Sequence, residues 1–263
     1  MLVTFAFILG SIVGSFLNVC ISRIPRGESV ISPPSHCPKC LTAIAFYDNL
    51  PLISYLILRG RCRGCGERIS PRYFVVELIT ALMAVALYHR LGLGYEFFVG
   101  FVFVAAMIAA SFIDLDAWII PDVISVPGVV FGFVFSTVGY LIGTSPRQFL
   151  PSPLSSLIGI VIGGGFLWLV AEIYERIRKK EGMGGGDIKL LAMIGAFLGG
   201  PSFPIVLFIA SVLGSAVGLV LMVLKRTGFK PDLAIPFGPF LCGGGVLFLF
   251  FSEELLEVYR PLF

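Results

Sequence analysis

Charge is what this chain has least of. Asp, Glu, Lys and Arg make up 13% of its 263 residues, against 57% hydrophobic residues, whereas soluble domains run near ~25% charged. So few charges cannot cover a water-soluble surface. A nucleic-acid-binding surface is also missing, because it would need a basic face carrying base-reading side chains. No glycine-rich dinucleotide fingerprint follows a strand-like run, and there is no internal repeat or low-complexity tract. The first apolar run, from Met1 to Ile21, has no Lys or Arg before it and no small-x-small cleavage site after it. It is expected to be a retained span, not a signal peptide. Cysteine is sparse, but four of the six cysteines form two C-x-x-C pairs, which argues for metal before disulfide.

What is present is long apolar blocks. Runs of roughly 18 or more apolar residues read as membrane spans. The pattern predicts an all-α polytopic membrane protein of about eight transmembrane helices with a small cytoplasmic four-cysteine insert. The expected spans are 2–20, 73–90, 97–113, 123–142, 154–174, 188–198, 204–224 and 235–251. The sixth is too short to cross a core of about 30 Å comfortably. Three parts follow: a first helix over 1–21, the insert over 22–72, and a membrane core over 73–263. Residues 22–72, 175–189 and 225–230 hold 16 of the 19 Lys and Arg. By the positive-inside rule these segments face the cytoplasm and both termini lie outside.

The insert carries Cys37-Pro38-Lys39-Cys40 and Cys62-Arg63-Gly64-Cys65, 21 residues apart. Two such knuckles suit one tetrahedral zinc, and a closed set of four thiolates is structural because catalytic zinc keeps an open position. Disulfides and free thiols remain alternatives, although a reducing cytoplasm disfavours disulfides. His36 competes as a ligand. Cys20 and Cys242 fall in spans as small core residues.

Two acidic stretches sit at the predicted cytoplasmic edge. One is Ser111-Phe112-Ile113-Asp114-Leu115-Asp116, followed by Pro121-Asp122; the other is Gly184-Gly185-Gly186-Asp187-Ile188-Lys189. Taken alone, Asp187 reads as a helix N-cap, and Asp116 and Asp122 as solvated ends. Taken together, Asp114 and Asp187 share a depth and a leaflet. Two carboxylates sharing one proton can activate water and protonate a scissile carbonyl. Glu77 is expected to make a polar contact with Arg72 or Lys189, and Asn18 to bond between helices.

Gly184-Gly185-Gly186-Asp187 matches the G-x-G-D signature of membrane aspartyl proteases. With Ile113-Asp114, Pro121-Asp122, Gly14-Ser15-Phe16-Leu17-Asn18, the Pro33-Pro34 run into Cys37, Asn49-Leu50-Pro51-Leu52, Val76-Glu77 and Ile235-Pro236-Phe237-Gly238-Pro239, the chain resembles the type IV prepilin peptidases over nearly its whole length. That resemblance implies catalytic aspartates at Asp114 and Asp187. It implies removal of a basic leader from type IV prepilins and pseudopilins, after glycine, at the cytoplasmic face of the bacterial inner membrane, with no metal needed for proteolysis. It also implies N-methylation of the new N-terminus from S-adenosylmethionine, with Gly60 tied to methylation and structural zinc on the four cysteines. A turn ahead of the second knuckle is the plainer reading of Gly60. The partners implied are the prepilin and the lipid bilayer, with no nucleic acid. A proton-coupled transporter and a non-catalytic assembly scaffold are the competing functions. The midplane placement a proton relay would need is not seen.

Overall fold

The computed structural model describes residues 1–143, 150–179, 184–225 and 235–259. The basic residues Arg147, Lys180, Arg226, Lys230 and Arg260, and residues 181–183 ahead of the G-x-G-D motif, lie outside the described residues. Among the described residues every regular element is helical, as the apolar blocks require. The helices are α1 (Leu2–Arg23), the short α2 (Ile53–Ile57), α3 (Pro71–Leu91), α4 (Tyr95–Ala117), α5 (Asp122–Leu141), α6 (Pro153–Arg178), α7 (Gly185–Leu198), α8 (Ser202–Lys225) and α9 (Gly238–Tyr259). Seven of them, all but α2 and α7, are long and apolar enough to cross a membrane. With 14 residues, α7 is roughly 21 Å long, as its short apolar run predicts.

The chain divides into two compact units, Met1–Ala109 and Ala110–Phe263. In the first, α1 packs along α3 through small residues. A Cβ on Gly10 would stand 2.6 Å from the Ala81 backbone, and one on Gly14 would stand 2.7 Å from that of Glu77. Lipid is as apolar as leucine, so close backbone approach is what holds such a pair. Asn18 adds a hydrogen bond from Nδ2 to the Tyr73 carbonyl at 2.9 Å. It is an interhelical contact of the kind expected.

In the second unit α7 is the hub, packed against α5, α6, α8 and α9. Nine consecutive residues, Leu190–Leu198, are buried, so protein covers it on every side. Gly159 of α6 and Gly195 of α7 meet backbone to backbone, and the Ser156 hydroxyl donates to the Ala196 carbonyl at 2.7 Å. The last helix begins at Gly238, three residues later than the apolar run suggests, because Pro236 and Pro239 allow helix only at its first turn. It continues to Tyr259 through a kink at Phe251 (φ −124°, ψ 28°), which falls where the apolar run ends and Glu253, Glu254 and Glu257 begin.

Candidate active site and metal centre

Asp114 lies in the last turn of α4. That helix stops when Trp118 turns left-handed (φ 59°) and donates its N–H to the Asp114 carbonyl at 2.9 Å. The Asp114 side chain is buried, and its Oδ2 accepts the backbone N–H of Gly238 at 3.1 Å. A buried carboxylate needs such a donor. The approach is so close that a Cβ on Gly238 would stand 2.5 Å from Oδ2 and 2.9 Å from Ile120 Cδ1.

Asp187 is in the first turn of α7. The N-cap of that helix is Gly184, which makes no side-chain cap bond. The capping alternative for Asp187 is therefore corrected: its carboxylate stands three residues past the cap. The turn carrying it rests on the α4–α5 loop, since a Cβ on Gly186 would stand 2.9 Å from Ile120 Cβ. Ile120 thus sits against both Gly186 and Gly238. Burial first, and the nearby Asp114 carboxylate second, push the Asp187 carboxyl up to about 6. The charge of one carboxylate is felt by the other, as in any pair that must share a proton. Cys242, buried in α9, hydrogen-bonds Ser111 and lies within electrostatic reach of both carboxylates.

The other acidic residues part company. Asp116 is exposed. Asp122 is not a merely solvated end: both its oxygens accept from Lys189 Nζ, at 2.6 and 2.7 Å. Lys189 is thereby accounted for by Asp122 and not by Glu77. Glu77 is buried on α3 and accepts the Leu52 N–H at 2.8 Å, with Ser15 as a second partner. The sequence missed these contacts. Leu52 has φ 62°, a conformation no apolar residue announces. The partner of Lys189 lies 67 positions away in the chain, beyond any local pattern.

In the insert, the four Sγ atoms of Cys37, Cys40, Cys62 and Cys65 lie within 4.8 Å of one another. Cys37–Cys65 and Cys40–Cys62 are 3.8 and 3.9 Å apart. A tetrahedron with Zn–S bonds of about 2.3 Å has edges of about 3.8 Å, so this donor set fits zinc. A disulfide would need about 2.05 Å, and all six cysteines are free, which sets the disulfide alternative aside. His36 is not part of the cluster: its Nδ1 faces the Pro34 carbonyl at 3.2 Å.

The two knuckles repeat one backbone design. Leu41 N–H returns to the Cys37 carbonyl at 2.9 Å and Cys37 N–H takes the Thr42 carbonyl at 3.0 Å; Gly66 returns to Cys62 at 2.9 Å and Cys62 takes Glu67 at 2.8 Å. The returning residue is left-handed in both, Leu41 at φ 58° and Gly66 at φ 71°. Hydrogen bonding to Thr42 pulls the Cys40 thiol down to about 6, and backbone donors at Cys65 and Gly64 lower Cys62. Both thiols are thus disposed to act as thiolate ligands, whereas Cys65, despite a backbone hydrogen bond at Glu67 that lowers it, is pushed up to about 11 by burial and the neighbouring thiols. Gly60 is left-handed (φ 65°), and a Cβ there would stand 2.9 Å from Tyr55 Oη and 3.0 Å from its Cζ. The Tyr55 ring lies against the side of Gly60 where a side chain would stand.

Residues 8–91 match the bacterial peptidase A24 N-terminal domain and residues 101–219 match the type IV leader peptidase family. A prepilin leader peptidase/N-methyltransferase of Aeromonas hydrophila is 34% identical over 281 residues, covering 98% of this chain and 93% of that protein. The protein of the same name in Neisseria gonorrhoeae is 34% identical, with 92% and 88% covered. That of Myxococcus xanthus is 39% identical over 229 residues, with 87% and 66% covered. No solved structure matches.

Proposed function

The chain belongs to the type IV leader peptidase family, and from that premise we propose that it removes the leader of type IV prepilins and pseudopilins with Asp114 and Asp187, then N-methylates the new N-terminus. The observation that carries the proteolytic assignment is that Ile120 sits against both Gly238, whose N–H holds Asp114, and Gly186, in the turn that carries Asp187. Asp114 accepts the Gly238 N–H and is assigned as the base, with Asp187 holding the proton. Asp114 removes a proton from water, whose oxygen bonds to the scissile carbonyl carbon while Asp187 gives its proton to the carbonyl oxygen. Collapse of the tetrahedral gem-diol breaks the C–N bond: Asp114 passes its proton to the departing amine while one hydroxyl returns its proton to Asp187. The dyad is thereby restored to its starting protonation state.

The chain is a multi-pass membrane protein; the inner membrane is its proposed location, with the insert and dyad facing the cytoplasm. The apolar helix of the prepilin lies in the bilayer and its basic leader stays in the cytoplasm. That puts the scissile bond, after a glycine able to unwind, at the membrane edge beside the dyad. Zinc held by Cys37, Cys40, Cys62 and Cys65 supplies structure to the insert and no chemistry. Gly60 supports methylation through the turn it shares with Tyr55. The test is leader release by purified protein in bilayer discs. Asp114→Asn and Asp187→Asn are each expected to lower the rate by about 10³-fold or more, with the protein still folded and membrane-inserted. Wild-type rates in either variant would overturn the assignment.

A further inference from the structure

Three glycines open α7, and they leave the turn that carries Asp187 poorly anchored. Gly184 caps nothing with a side chain, and nothing lies within 4 Å of where a Gly185 Cβ would stand. Gly186 touches Ile120, a contact that resists compression but not withdrawal. One polar tie remains to that turn among the described residues: Lys189 Nζ bonded to both oxygens of Asp122. Asp122 opens α5 just past its Pro121 cap, where the positive end of a helix favours a carboxylate. Asp122 also follows by two residues the Ile120 that seats Gly186. Lys189 lies two residues from Asp187, about 200° around the helix, so its ammonium is aimed away from the side that presents the Asp187 carboxylate.

We propose that Lys189 and Asp122 form a positioning strut for proteolysis, holding the first turn of α7 to the start of α5 so that Asp187 keeps its register with Asp114. This rests on the dyad reading above. The pair is exposed, with 44% and 62% of the two side chains accessible, so its share of overall stability is small. Its effect is on geometry, where a displacement of about 1 Å costs catalysis far more than it costs the fold.

The experiment is a double-mutant cycle on cleavage in bilayer discs, with hydrogen exchange as a readout independent of activity. Asp122→Asn and Lys189→Met are each expected to lower kcat about 10-fold with KM unchanged. The double variant should lose no more than either single, because one tie is cut in every case. Lys189→Arg, which can still grip both oxygens of Asp122, should keep most of the activity. Amide exchange should quicken at residues 185–189 in both single variants and stay unchanged in α8. Independent, multiplying losses, a rise in KM alone, or unaltered exchange at 185–189 would each overturn the strut. If exchange quickens as described while Asp187→Asn still cleaves, the strut stands as a structural tie and the dyad reading falls instead.

Discussion

Gly238 shows how much of this site is fixed by the absence of a single carbon. Its N–H reaches Asp114 only because nothing stands between the backbone and Oδ2. Gly238→Ala puts a methyl group against Oδ2 and Ile120, so Asp114 must withdraw from its donor. The expected result is a fall in kcat of about 10²-fold with the helical circular dichroism of the wild type; unchanged kcat would remove Gly238 from the mechanism. The same pair of carboxylates sets the pH response. Asp187 is raised to about 6, so its protonated form survives well above the ordinary carboxylate range of about 3.9. The sign follows: raising pH through that value strips the shared proton and lowers kcat, whereas an unperturbed aspartate would have lost it near pH 4. A pH–rate profile with an alkaline limb beginning near pH 6 is expected, and a rate still rising beyond pH 8 would contradict Asp187 as the acid. The motif containing Gly238 was legible as part of a resemblance, but its hydrogen bond was not, because Asp114 lies 124 positions away.

Individual helices announced themselves, while the way they pair did not. In a soluble protein the apolar stripe of a helix names its buried face; a membrane helix is apolar all round, so that information is gone. The lengths of 2–20 and 188–198 therefore carried into α1 and α7 with small shifts at the ends, yet nothing in their hydropathy says that α7 lies at the centre of its unit. The signal that survives is the spacing of small residues four apart. Gly10 and Gly14 on α1, Gly128 and Gly132 on α5, and Gly159 and Gly163 on α6 each place a neighbouring helix in close contact. The consequence is testable at Gly159, which meets Gly195 backbone to backbone. Gly159→Ile is expected to destabilise by about 1–3 kcal/mol, read as a lower Tm in detergent. Gly165→Ile serves as the control on the same helix, since nothing lies within 4 Å of its would-be Cβ. Equal Tm values for the two variants would mean that this glycine spacing does not encode packing.

Across the whole chain, the two chemistries fall in different compact units. The four cysteines lie within Met1–Ala109, and Asp114, Asp187, Gly238 and the Lys189–Asp122 pair lie within Ala110–Phe263. The insert has few large buried side chains of its own. Phe46, Tyr47, Leu50, Ile53, Leu56 and Ile57 are exposed, the exposed Lys39–Glu67 pair contributes little, and Arg63 grips both oxygens of Asp48. Besides the proposed zinc, it is held by the two hydrogen-bonded knuckles, by the buried Arg23 guanidinium donating to the Ser29 and Pro33 carbonyls and by the Glu77 grip on Leu52. Metal binding is then folding free energy for this segment, whereas the dyad is held by spans whose packing needs no ligand. Stripping zinc with a chelator at neutral pH is therefore expected to unfold the insert, to make all four thiols reactive to alkylation, and to abolish N-methylation while leaving leader cleavage within a few-fold of the holoprotein. Cys40→Ser should do the same. Mass spectrometry of the pilin product separates the outcomes in one measurement, because cleaved-unmethylated and uncleaved chains differ in mass. Equal loss of both activities on metal removal would show that cleavage depends on the insert, and full methylation by the stripped protein would show that methylation does not.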